Sequence, residues 1–135
     1  DMIDMFEQTK CDSVMVGRGI LGKPWMFQVF KEYFRTGKIT STDISTKLNL
    51  IKRHFELSIR NKGEKRAIIE MRTHFSYYTK GLKGGAKVRK LINKSLEKNE
   101  ILNAIELLYL SSHTPKNPTP RTQYQKPNTK NPIPN

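Results

Sequence analysis

The sequence predicts a mostly α-helical chain: the last β/α unit of an eightfold β/α (TIM) barrel, followed by an all-α helical bundle. Three observations predict it. The strand-length apolar run Ser13-Val14-Met15-Val16 ends in Gly17-Arg18-Gly19, the pattern of a buried strand leaving into a glycine turn. From Ile44 to Leu108 the apolar residues step by three or four, the period of packed helices. Beyond Leu110 the composition turns to Pro, Asn, Thr and Lys, too poor in apolar side chains to offset the entropy of ordering. The chain thus divides into residues 1–37, the end of the barrel; 38–110, a helical domain; and 111–135, a disordered basic tail.

Ile3 and Phe6 are spaced as the end of a helix, Lys10 to Asp12 form a turn, and residues 13–16 supply the strand. Pro24 suits a first helical position, where its fixed φ helps and its missing N–H is not needed. That helix reaches about Phe34 and is ended by Thr36-Gly37. Thr42 is placed to N-cap the next one, whose apolar face carries Ile44, Leu48, Ile51, Phe55 and Ile59 before Lys62-Gly63 interrupts. Ile68, Met71, Phe75 and Tyr78 repeat the stripe until Gly81, a left-handed cap. After the Gly84-Gly85 turn, Val88, Leu91 and Ile92 mark one helix, and Ile101, Leu102, Ile105 and Leu108 another, completing a small bundle. A single strand without a downstream partner leaves its backbone groups unpaired. The rest of its sheet is therefore expected upstream, in keeping with a chain that starts at Asp1 instead of Met.

The 135 residues carry 25 Lys plus Arg against 12 Asp plus Glu, a net charge of +13. Such an excess attracts polyanions, nucleic acid first among them, with a membrane surface or a ribosomal site also compatible. No apolar run approaches the roughly 18 residues that span a bilayer, and the N-terminus is not a signal peptide, so a soluble, cytoplasmic, monomeric protein is expected. The single cysteine, Cys11, excludes an internal disulfide and any multi-cysteine metal site. His54 and His113 lack partners at metal-ligand spacing, and no metal is expected. The carboxylates form no catalytic pair. Glu56 with Arg60, and Glu70 with His74, stand at surface-pair helical spacing.

A parallel strand that ends in glycines and enters a helix is a phosphate-binding device. Glycine permits close backbone approach, and the turn N–H groups point at the anion. The loop after the last strand of a β/α barrel is such a place, and Gly17-Arg18-Gly19 followed by Pro24 fits it. The same residues also describe a plain tight turn with Arg18 as a surface charge. Trp25 is read as packing on the rim instead of stacking on a ligand.

The stretch CDSVMVGRGILGKPWMF resembles the last strand and phosphate loop of the tRNA-dihydrouridine synthases. MRTHFSYYTKGLKGGAKVRKLIN, Met71 to Asn93, is similar to the helical-domain signature of that family, with Arg-x-His, paired aromatics, Lys-Gly and a further Arg. The likeness covers residues 1 to about 110. It implies a flavin enzyme that reduces the C5=C6 bond of uridines in tRNA, using FMN and NADPH. Gly17, Arg18 and Gly19 match the FMN-phosphate loop, chiefly through backbone N–H groups; Lys23 stands where the family often has another polar residue. The family's catalytic cysteine belongs to an Asn-x-Gly-Cys-Pro loop that this sequence lacks. Cys11 precedes the strand and is read as an ordinary turn or core residue, so this chain alone is expected to be inactive.

Between Glu70 and Glu97 there is no acidic residue, while Arg72, Lys80, Lys83, Lys87, Arg89, Lys90 and Lys94 are present. A one-signed surface of this kind suits a phosphodiester backbone, and the resemblance points to tRNA as the partner. Arg72, His74, Tyr77, Lys80, Lys87, Arg89 and Lys90 are the candidate RNA contacts. Phe75 and Tyr78 lie on the apolar stripe and belong to the core, whereas Tyr77 lies off it and is free to stack on a base. Two other readings remain open: a stand-alone basic RNA-binding module, in which residues 1–25 are vestigial, and a fragment of another phosphate-binding flavoprotein barrel.

Overall fold

The computed structural model describes residues 2–112. Among them it contains α1 (Met2–Thr9), a single 3-10 turn (Arg18–Ile20), α2 (Met26–Thr36), α3 (Ile44–Lys62), α4 (Glu64–Tyr78), α5 (Gly85–Lys94) and α6 (Lys98–Ser112). The expected disordered tail lies, beyond Ser112, outside the described residues, as does His113; α6 itself runs two residues past the expected boundary.

The expected strand does not form: no strand occurs among the described residues, and Met15 is almost fully exposed. A strand exists by pairing, and none of the described segments offers residues 13–16 an edge to bond. What the described residues hold is a mostly helical chain.

Helices α3 to α6 build the core. Phe55, Ala67, Phe75 and Ile101 are fully buried, and Leu48, Ile51, Ile68, Met71, Tyr78, Ile92, Ile105 and Tyr109 complete the cluster around them. The contacts Lys62 to Glu70, Phe55 to Phe75 and His54 to Tyr78 retreat on α3 as they advance on α4, so the two helices run antiparallel. Gly63 alone joins them, at φ 80° and ψ 156°. A Cβ would strain the left-handed turn that reverses the chain there.

Helix ends depart from expectation in three places. Asp43, not Thr42, caps α3: its Oδ1 accepts from the Thr46 N–H at 3.2 Å, and its charge suits the positive helix end. Helix α2 begins at Met26 instead of Pro24, because the N–H groups of Phe27 and Gln28 reach back only three residues, to Pro24 and Trp25. Helix α4 stops at Tyr78, before Gly81. Thr79 is buried, its Oγ1 donates to the Phe75 carbonyl at 2.8 Å, and the Lys80 N–H bonds to Tyr77, tightening the last turn. Gly81, at φ 79°, then turns the chain outside the helix. Gly37 ends α2 as expected, at φ 71° with its N–H on the Tyr33 carbonyl.

The segment before α3 lies on the bundle through Trp25, whose ring stacks on Tyr78 at 6.4 Å and receives the Lys47 ammonium at 5.4 Å. Helices α1 and α2 meet through Phe6 and Phe34, 4.8 Å apart, and through the Tyr33 hydroxyl donating to Glu7 at 3.1 Å.

Candidate functional site

The glycine turn is the first component. The Ile20 N–H bonds to the Gly17 carbonyl at 3.3 Å and the Leu21 N–H to Arg18 at 3.2 Å. In such a turn the N–H groups ahead of the first bonded donor have no intrahelical acceptor. Those groups belong to Arg18 and Gly19, and all three residues of Gly17-Arg18-Gly19 are exposed. A Cβ placed on Gly17 or Gly19 would meet no atom within 4 Å, so the space beside the turn is open. The amide donors of Arg18 and Gly19 thus face open space, the arrangement an anion can use.

Gly22 fixes this turn to the bundle. It sits at φ +75°, and a Cβ there would fall 2.4 Å from the Tyr77 carbonyl oxygen and 2.9 Å from Tyr77 Cβ. Only glycine lets the turn lie this close to α4.

The second component starts at Tyr77 and extends to α5. Thr73, Ser76 and Tyr77 lie at helical spacing on the face of α4 opposite Ile68, Met71, Phe75 and Tyr78, and Lys80 follows in the turn beyond it. With Arg89 from α5 they line an open cleft of about 500 Å³. Arg89 is held by Thr79: its Nη1 donates to the Thr79 carbonyl at 3.2 Å and lies 3.3 Å from Thr79 Oγ1. Gly85 makes that approach possible, since a Cβ there would stand 2.3 Å from the Thr79 carbonyl oxygen.

Of the expected RNA contacts, the structure brings Tyr77, Lys80 and Arg89 together. Lys87 and Lys90 are exposed elsewhere on α5. Arg72 turns inward, its Nη2 donating to the Ser95 carbonyl at 3.4 Å at the α5–α6 junction. His74 lies outside this cleft, toward α3. Sequence reasoning misses Thr73 and Ser76, although their spacing to Tyr77 and Lys80 is the signal that could find them.

His74 belongs with His54, their rings 4.8 Å apart, in a second cleft of about 370 Å³ between the Ile20–Pro24 segment and helices α3 and α4. His54 Nδ1 and the Tyr78 hydroxyl share a hydrogen bond at 2.9 Å. Burial, reinforced by the neighbouring His74, pushes the His54 pKa down; burial raises that of Tyr78. The expected Glu70–His74 pair is replaced by a different one. Glu70 takes Lys62 and Arg66 together, the latter at 2.8 Å, and these cations hold its carboxyl below the usual range. Cys11 is a half-buried free thiol beside the turn at Lys10 and lines neither cleft. Among the described residues no three His, Cys, Asp or Glu could hold a metal ion, and no helix is long and apolar enough to cross a membrane.

Comparison with known proteins places both components in one family. The family model described as dihydrouridine synthase (Dus) matches residues 1–113, spanning the glycine turn and the α4–α5 surface alike. A probable tRNA-dihydrouridine synthase of Rickettsia bellii is 31% identical over 91 residues, covering 67% of this chain and 28% of its own length. One of Mycobacterium tuberculosis is 32% identical over 94 residues, 68% of this chain and 24% of its own. The tRNA-dihydrouridine synthase B of Pasteurella multocida is 27% identical over 103 residues, 76% of this chain and 31% of its own. The chain thus spans roughly a quarter to a third of the length of the curated relatives it matches, and over that span it belongs to the dihydrouridine synthase family.

Proposed function

We propose that this chain is the C-terminal part of a flavin-dependent tRNA-dihydrouridine synthase, acting on tRNA in the cytoplasm. The observation that carries the reading is that one family match, over residues 1–113, takes in both the glycine turn and the acid-free stretch 71–96. FMN, reduced by NADPH, would supply the hydride that converts uridine to 5,6-dihydrouridine.

The roles of this chain's own residues follow from their positions. Gly17, Arg18 and Gly19 would hold the cofactor phosphate through amide N–H groups, with the Arg18 guanidinium free to approach it. Tyr77, Lys80, Lys87, Arg89 and Lys90 would hold tRNA, and the Gly22–Tyr77 contact would keep the two surfaces in fixed relation. Arg72 would act by bracing the α5–α6 junction, and His74 from the cleft it shares with His54. Residues 1–37 would close the barrel and 38–110 form the tRNA-binding domain. No Asn-x-Gly-Cys-Pro loop is present in the 135 residues, so the chain by itself would not turn over.

Quantifying dihydrouridine in tRNA from cells with and without the gene tests the reading. Loss of the modified base at a subset of positions is expected, together with flavin absorbance in the purified gene product. Unchanged dihydrouridine would overturn it.

A further inference from the structure

We infer that the cleft formed by Thr73, Ser76, Tyr77, Lys80 and Arg89 is a subsite for a single unstacked nucleotide of RNA, taking its phosphate on the cations and hydroxyls and its base on Tyr77. This rests on the reading of α4 and α5 as a tRNA-contacting surface, and it narrows that surface to one place and one form of RNA.

The cleft's chemistry is specific. Its two cations, Lys80 in the turn after α4 and Arg89 on α5, line one space together with the hydroxyls of Thr73 and Ser76. No acidic residue occurs from 71 to 96, and none lines the cleft, so no carboxylate of this stretch competes for Lys80 and Arg89. Arg89 is oriented in advance, because one guanidinium nitrogen is tied to Thr79 and the remaining donors of the planar fork are fixed with it. Hydroxyl and guanidinium donors around an open space suit a phosphodiester oxygen.

Tyr77 supplies the second half. Its neighbours Phe75 and Tyr78 are buried, but Tyr77 is 38% exposed and lines the cleft. Its backbone is pinned by Gly22, so the ring is presented from a fixed point. A volume of about 500 Å³ accommodates a nucleotide. An aromatic face can receive a base only when that base has left its helical stack, which selects loops and single strands over duplex.

The test uses the full 135-residue chain and two labelled probes, a single-stranded oligouridylate of about ten nucleotides and a duplex RNA of the same length, alongside tRNA. Tyr77→Ala is expected to weaken oligouridylate binding by about ten-fold while leaving the duplex nearly unaffected, and Tyr77→Phe to bind as wild type. Lys80→Gln should weaken oligouridylate more than Lys65→Gln, which removes an equal charge outside the cleft. Circular dichroism confirms that each variant is folded. If Tyr77→Ala binds oligouridylate as wild type does while tRNA is still held, the subsite is wrong and the tRNA-contacting surface stands. If the chain holds no RNA at low salt, both fall.

Discussion

His54 is half-buried beneath the Ile20–Pro24 segment, and the charged or titratable groups around it are Arg53, His74 and Tyr78, with no carboxylate among the residues lining that cleft. Its pKa is held below the ordinary 6.5, first by burial and then by His74. An unfolded chain takes up this proton near the ordinary value, whereas the folded chain resists it until lower pH. Its contribution is therefore intact above the unfolded pKa and is lost as pH falls through that value toward the folded one. Urea midpoints should decline on acidification from about pH 7.5 to about pH 5, and decline less in His54→Gln. Equal declines would remove His54 as the cause. Phe55 makes a different kind of contribution, fully buried and edge-on to Phe75 at 5.2 Å. Phe55→Ala should cost about 3–5 kcal/mol in urea unfolding, a large part of a typical domain's stability. A cost under about 1 kcal/mol would mean that the core collapses into the vacated space.

At the scale of elements, Gly22 decides whether the glycine turn stays on the bundle. Gly22→Ala adds a methyl group against the Tyr77 carbonyl and strains a positive φ. The turn should lift away while α3 to α6 keep their own core. The expected signature is a red shift in the emission of Trp25, the single tryptophan, with little change in far-ultraviolet ellipticity; an unshifted emission would refute the tether. The same contrast explains what sequence alone can reveal. Helical periodicity is a local signal, so Leu48, Ile51, Phe55, Ile68, Met71, Phe75, Tyr78, Ile92, Ile101 and Ile105 are all legible as core from their spacing. Features set by a distant partner are not. Residues 13–16 need an edge that no described segment provides. Helix α4 ends early because Thr79 is buried beneath Arg89, ten residues on. Arg72 and Arg89 read as surface cations in the sequence, yet their guanidiniums are bonded to carbonyls of neighbouring turns. Of the candidate site, the glycine turn and Tyr77 with Lys80 and Arg89 are legible, but the cleft that joins the last three is not.

For the whole molecule, the proposed division of labour places cofactor phosphate at Gly17–Gly19 and tRNA on α4 and α5, with Gly22 and Trp25 between them. Those two surfaces should be separable by mutation, provided the variants do not also unfold the chain. Arg89 is unsuitable, because reversing its charge would release Thr79. Lys87 and Lys90 are exposed on α5, so Lys87→Glu with Lys90→Glu should leave the fold intact. Gly17 offers the complementary change, since a Cβ there meets nothing within 4 Å. Gly17→Val places its side chain in the space proposed for phosphate, and circular dichroism checks that the variant is folded. In the full-length gene product, on the proposed reading, the double lysine variant should bind tRNA at least about ten-fold more weakly with a shallower salt dependence, since fewer counterions are released, and should retain flavin. Gly17→Val should lose flavin absorbance and retain tRNA. Flavin content and tRNA affinity measured on both proteins decide the matter: if either variant loses both ligands together, cofactor and tRNA share one surface and the division is wrong.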